Sequence, residues 1–308
     1  MSRPVRPPAP APLVPLAPGG PALSAVVAGV WRMGAWGWSP QERLRWVEQC
    51  AELGVTSFDH ADIYGDYTVE GLFGEALALA PGLRDRVQLV TKCGIRLVSA
   101  RRPEHAVKSY DTSPRHVVAS VEASLRALRT DRVELLLLHR PDYLMDPGPL
   151  AQALDALRAA GKVLHVGVSN HRPSQLALLH RHAAVATNQV ELSPLASGAL
   201  DDGTLDQCLD LGIRPMAWSP LAGGRLVTGD DPAAVRTRAA LERVGAAHGV
   251  GAAAAAYAWV MRHPSRPVPI TGSRRVEAVA EAVAALGVAL TAEEWYAVWE
   301  AGAGREVP

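Results

Sequence analysis

The strongest constraint on this 308-residue chain is an alternation. Short apolar runs fall at Val26–Val30, Val55–Phe58, Val87–Thr91, Val133–Leu138, Val163–Val168, Ala186–Val190, Ile213–Ala217 and Val268–Ile270. Each reads as a buried strand. Between them lie helical patterns at Pro40–Leu53, Ser113–Leu128, Pro149–Ala160, Pro173–His182, Thr204–Leu211, Arg236–His248, Gly251–Ala258 and Arg275–Leu286. Ser113-Pro114 is a cap followed by proline at the first helical position, and Gly161 suits a left-handed C-terminal cap. Eight strands, each followed by a helix, over about 250 residues predict an α/β fold of one domain, the (β/α)8 or TIM barrel. A doubly wound sheet competes, but its Gly-x-Gly-x-x-Gly turn is missing after strand one, where Trp31-Arg32-Met33-Gly34 stands. No Gly-x-x-x-x-Gly-Lys, His-Glu-x-x-His or Gly-x-Ser-x-Gly occurs either, which argues against a phosphate-loop switch, a zincin and an α/β-hydrolase.

The ends carry their own signals. Residues 1–21 hold eight of the 24 prolines and predict a flexible tail, with the barrel spanning 22–308. The runs Val14–Leu16 and Ala25–Val30 flank Pro18-Gly19-Gly20-Pro21, which predicts an N-terminal hairpin. Trp295 and Trp299, at i and i+4, predict an extra C-terminal helix. Thirty-one basic residues balance 31 acidic ones, which argues against a nucleic-acid surface. No run approaches the ~20 apolar residues of a membrane span. The N-terminus shows no secretory pattern, and Cys50, Cys93 and Cys208 lack metal or disulfide spacing. A cytoplasmic protein without structural metal, acting as a monomer, is expected.

In a barrel, polar residues just past the strand ends face the active mouth. Here these are Asp59, with Asp62 and Tyr64 beyond it; Lys92-Cys93; His139-Arg140; Ser169-Asn170; Asn188-Gln189; Trp218-Ser219; and Thr271-Gly272-Ser273. Lys92 follows an apolar strand and needs an acid nearby, for which Asp59 is placed one strand over. A charged lysine beside Tyr64 would lower the phenol pKa and make it a usable general acid. Trp31 could line a substrate pocket, and Trp36 and Trp38 could add an aromatic wall. His105, His180 and His182 read as solvent-facing.

The run Phe58-Asp59-His60-Ala61-Asp62-Ile63-Tyr64-Gly65, with Lys92, His139, Gly167-Val168-Ser169-Asn170, Asn188-Gln189 and Trp218-Ser219-Pro220-Leu221, resembles the aldo-keto reductase superfamily. It looks most like bacterial oxidoreductases of the YdhF type. The resemblance implies reduction of an aldehyde or ketone, with a tetrad in which Tyr64 donates the proton, Lys92 depresses its pKa, Asp59 holds Lys92 and His139 orients the carbonyl. It also implies NADPH lying across the barrel mouth. Ser169, Asn170 and Gln189 would take the carboxamide and Trp218 the ring. Ser219, Leu221, Gly223 and Arg225 would approach the pyrophosphate. Gly272, Ser273, Arg274 and Arg275 would meet the 2′-phosphate, and Glu281 the adenine. Two other readings stay open: an NADPH-binding regulatory protein on the same barrel, and a lyase or isomerase using Lys92 as a Schiff base.

Only three of the basic residues are lysines. Lys92 is expected to carry chemistry. Lys162, at a helix-to-strand junction, and Lys108, in a charged loop, are not.

Overall fold

The structure, a computed structural model, describes residues 9–307. Eight parallel strands close a barrel: β1 Val27–Gly29, β2 Ser57–Asp59, β3 Gln88–Cys93, β4 Val133–Leu138, β5 Val163–Ser169, β6 Asn188–Glu191, β7 Met216–Trp218 and β8 Val268–Thr271. Their spatial order follows the chain, and β8 pairs back onto β1 through Ile270–Val27 and Thr271–Ala28. This is the predicted single-domain (β/α)8 barrel.

Strand residues alternate between two environments, because successive side chains point to opposite faces. Val27, Val90, Leu135, Leu137, Met216, Val268 and Ile270 fill the inside of the barrel. Ala28, Phe58, Leu89, Leu136, Val166, Val190 and Ala217 belong to the larger core between strands and helices. Extending the inward parity to the strand ends selects Trp31, Asp59, Lys92, His139, Ser169, Gln189, Trp218 and Gly272. A one-residue slip in any strand would turn its member of this set out of the mouth.

The other end is plugged. Leu13–Pro15 pairs antiparallel with Ala22–Ser24 in the predicted hairpin. Its Leu16 and Leu23 are fully buried against the barrel's inner residues. The backbone N–H of Ala11 donates to the Leu53 carbonyl at 2.8 Å, so the tail boundary expected at residue 21 is too late. Residues 1–8 lie outside the described part.

The helix after Ser113-Pro114 begins as predicted, whereas the one expected from Arg236 begins four residues earlier, at Pro232. Ser39 and Glu42 form a capping box on Pro40–Glu52. Ser113 caps Pro114–Leu128 and Asp231 caps Pro232–Ala247, each with proline at the start. One helix, Val69–Ala78, is not apparent from sequence. Its Gly71 and Gly74 break the helical pattern, and the reason for Gly74 is tertiary. A Cβ there would lie 2.1 Å from the Ala127 carbonyl oxygen, so the glycine lets this helix press on Pro114–Leu128. The C-terminal helix Ala292–Ala303 stacks Trp295 on Trp259 at 4.8 Å, with each indole N–H donating to the other's carbonyl. Trp36 and Trp38 pack on each other at 4.7 Å, and Trp36 on Trp46 at 5.2 Å. They belong to the core and do not wall the mouth.

Among the described residues no single helix is long and apolar enough to cross a membrane. The three cysteines are buried free thiols, and burial pushes those of Cys50 and Cys208 up to about 12.

Candidate active site

A cleft of about 950 Å³ opens at the C-terminal ends of the strands. At its floor the Lys92 ammonium is almost fully buried and donates three hydrogen bonds. They go to Asp59 Oδ2 at 2.7 Å, the His60 carbonyl at 2.7 Å and Tyr64 Oη at 2.9 Å. The other Asp59 oxygen accepts from Gln189 Nε2 at 2.8 Å, across the barrel. Both lone-pair faces of the carboxylate and all three ammonium protons are therefore spoken for, the condition under which a buried ion pair is tolerated. The Tyr64 ring meets His139 edge-on, centroids 5.9 Å apart. The four residues proposed as a tetrad thus converge from three strand ends and one loop.

Tyr64 begins an unusual turn. Gly65, Asp66 and Tyr67 follow it with φ of 56°, 55° and 64°, three left-handed residues of which two are not glycine. Such backbone is costly and persists where the surroundings hold it. Here Tyr67 Oη accepts the Leu97 N–H at 3.0 Å and its ring lies under Arg102. The segment is thereby tied to the long loop after β3, which carries its own hairpin, Ile95–Arg96 with Ser109–Tyr110.

The electrostatics correct one expectation. Burial would lower the Lys92 pKa, but Asp59 first and Tyr64 second reverse this and raise it. The lysine stays charged, which removes the free amine a Schiff-base mechanism needs. Burial also pushes the Tyr64 phenol above its ordinary 10, and the pull of Lys92 offsets only part of this. Tyr64 is thus not acidified at rest. It keeps its proton throughout the neutral range, with a cation 2.9 Å from its oxygen. Burial, with Lys92, Arg140 and Lys108 adding to it, drives the His139 imidazole well below 6.5, so it is neutral at pH 7.

The expected cofactor residues divide. Ser169, Gln189, Trp218, Ser219, Leu221, Gly223, Gly272, Ser273, Arg275 and Glu281 line the cleft, as does Trp31. Asn170 stands behind Trp218, accepting its indole N–H at 3.2 Å. Ser219, Ala222, Gly223 and Gly224 all have positive φ, which curls the segment after β7 into the cleft wall. Arg225 does not line the cleft, because Asp231 holds its guanidinium through contacts of 3.1 and 2.8 Å. Arg274 does not line it either. Of the three arginines expected at the phosphates, only Arg275 lines the cleft. It stands at the start of Val276–Ala284, whose N-terminus has no side-chain cap.

Lys108, expected to carry no chemistry, lines the mouth, while Lys162 pairs with Glu122 as befits a structural lysine. Arg140 lines it as its strand-end position predicts, and so does Glu191, which the sequence does not single out. Glu191 is two residues beyond Gln189 on one strand, so the inward parity could have found it. His105 is not solvent-facing: its ring packs under the β3 loop, 3.0 Å from the Leu97 carbonyl.

Two buried histidines bear on stability. Burial, with Lys92 adding, holds His60 down to about 3, and burial holds His171 down to about 4. Both take up a proton on unfolding below 6.5, so stability is present above that pH and is lost as pH falls toward 4 and 3. From pH 7 to pH 5 the expected loss is about 2 kcal/mol per histidine. Urea midpoints at the two pH values check this, and an unchanged midpoint contradicts it.

The sequence matches the model of the Aldo/keto reductase family over residues 25–302. It is 45% identical to the oxidoreductase YdhF of Escherichia coli (strain K12) over 297 residues, 95% of this chain and 98% of that protein. It is also 45% identical to a 6-dehydroglucose reductase of Agrobacterium fabrum over 288 residues, 92% of this chain and 96% of that one. Among solved structures, the glycerol dehydrogenase AKR11B4 from Gluconobacter oxydans superposes with a TM-score of 0.81 over 95% of each chain. At 24% identity that likeness speaks to the fold. The sequence match runs through every barrel strand and through all four residues on the cleft floor, and the chain belongs to the aldo/keto reductase family.

Proposed function

We propose that the chain reduces an aldehyde or ketone to the alcohol, with NADPH as reductant. The observation that carries this reading is the Lys92 ammonium held between Asp59 and Tyr64 on the cleft floor. NADPH, when bound, supplies the hydride. The chain's residues supply the proton and the positions. Tyr64 delivers its proton to the carbonyl oxygen as negative charge builds there. Lys92 stabilises the tyrosinate left behind, and Asp59 with Gln189 keeps Lys92 from drifting. The neutral His139 steers the carbonyl oxygen toward Tyr64 without competing as an acid.

The residues present fit this cofactor. Ser169 and Gln189 offer the donors and acceptors a carboxamide needs, and Trp218 offers a flat face. Apart from immediate chain neighbours, nothing lies within 4 Å of where a Cβ would stand at Gly223 or Gly224, which leaves the backbone open to a pyrophosphate. Arg275 and the uncapped helix start behind it suit a 2′-phosphate.

Purified protein is expected to consume NADPH when given small aldehydes. Tight NADPH binding with no turnover across a broad carbonyl panel would favour the regulatory reading. Arg275→Ala is expected to raise the KM for NADPH about tenfold, the worth of one charge-assisted contact, and to leave that for NADH unchanged. Equal effects on both would remove Arg275 from phosphate recognition.

A further inference from the structure

The left-handed turn after Tyr64 is unevenly supported. Gly65 adopts such backbone freely and an aspartate tolerates it, but for a bulky tyrosine it is an outlier. Local bonds close the turn on itself. The Thr68 N–H donates to the Tyr64 carbonyl at 3.1 Å, and the Thr68 hydroxyl donates to the Gly65 carbonyl at 2.6 Å. Asp66 meets only the exposed Arg101 among the described residues, at 3.8 Å. Tyr67, the residue least suited to the turn, has the firmest outside hold. Its Oη accepts the Leu97 N–H at 3.0 Å, and the Arg102 guanidinium lies 4.6 Å from its ring centroid. The Leu97 carbonyl in turn faces His105 Nδ1 at 3.0 Å.

Tyr67 is not among the residues that line the cleft, so it acts on the chemistry only through others. The Leu97 it holds does line the cleft, with Ile95, Lys108 and Tyr110 of the same loop. Three residues before Tyr67 stands the acid, whose oxygen must stay 2.9 Å from Lys92. Its backbone is fixed on one side, where the Asp62 N–H donates to the Lys92 carbonyl at 3.0 Å and the Tyr64 N–H to the Ala61 carbonyl at 3.1 Å. The turn fixes the other side. If Asp66 and Tyr67 relaxed to right-handed backbone, the chain would leave Tyr64 in a new direction and carry the phenol with it. A misplacement of about 1 Å at a reacting group can cost about 10²-fold in rate. The geometry points to Tyr67 as a positioning residue: it ties the left-handed turn to the loop after β3 and thereby holds the Tyr64 oxygen against Lys92.

The proposal rests on the carbonyl-reductase reading and deepens it. Tyr67→Phe removes the acceptor and keeps the ring beside Arg102. With NADPH and an aldehyde that the wild type reduces, its kcat is expected to fall about tenfold, a partial misplacement of the acid. Its kcat is also expected to fall further in D2O than that of the wild type, because proton delivery becomes the slow step. The same change is then made in Tyr64→Phe. With no phenol left to position, residual turnover is expected to stay within about twofold. Tyr67→Gly accepts the left-handed backbone without strain but has no phenol to tie it, and is expected to lose at least as much kcat as Tyr67→Phe. Equal losses from Tyr67→Phe with and without the Tyr64 oxygen overturn this proposal and leave the reductase reading standing. Full activity in Tyr67→Phe or in Tyr67→Gly does the same. No turnover of any aldehyde by the wild type overturns both.

Discussion

Tyr64→Phe is expected to lower kcat for aldehyde reduction by about 10³-fold, within the range general acid catalysis contributes. The substitution removes one oxygen and little else. That oxygen accepts from Lys92 at 2.9 Å, while the ring packs on His139 and the phenylalanine ring can keep that contact. NADPH affinity is expected to hold within about twofold, since a hydroxyl whose work is to protonate the substrate oxygen contributes chiefly to transition-state stabilisation. The pH profile of the wild type belongs to the same account. His139 titrates well below 6.5 and Tyr64 above 10, so both are in their working forms between these values. Reduction is expected to be flat from about pH 7 to 9, falling only where the phenol ionises. Rates of Tyr64→Phe like those of the wild type would remove this residue as the acid.

Lys92→Met is expected to damage both rate and fold. The methionine fills the stem's space but leaves Asp59 facing a cavity floor with only Gln189 on its second oxygen. Breaking a buried pair by removing one partner costs about 3–5 kcal/mol. A urea titration measures that loss. Turnover is expected to fall about 10³-fold, because no cation remains to receive the tyrosinate. Lys92→Arg keeps the charge and tests something else. The three acceptors lie at 2.7, 2.7 and 2.9 Å around one nitrogen, which a planar fork cannot reproduce. It is expected to regain part of the stability and little of the rate. An arginine variant with full activity would show that charge alone suffices.

The site was legible where it hangs on strands. Period-two alternation takes Val90 to Lys92 and Leu137 to His139, and it carries Asp59 and Gln189 to the same inward side. A sequence reader needs only the register of each apolar run. Legibility failed where tertiary contacts decide. Gly74 makes Val69–Ala78 look broken, yet it is there to admit a neighbouring helix. The loop after β3 folds back through Tyr67 and its own hairpin, which puts Lys108 at the mouth. Arg225 reads as a phosphate ligand in the sequence, but the fold pairs it with Asp231. For Tyr64 the sequence shows the neighbouring cation but not the burial of the phenol, and burial has the larger effect on its pKa.

The central claim is that this cleft transfers hydride to a carbonyl carbon while Tyr64 protonates the oxygen. The most direct measurement uses NADPH carrying deuterium at the transferring C4 position, with an aldehyde the protein turns over. The account predicts one deuterium on the carbinol carbon of the alcohol for each NADPH oxidised, and almost none formed by Tyr64→Phe in the same time. Alcohol without the label, or NADPH oxidised without alcohol, would contradict it.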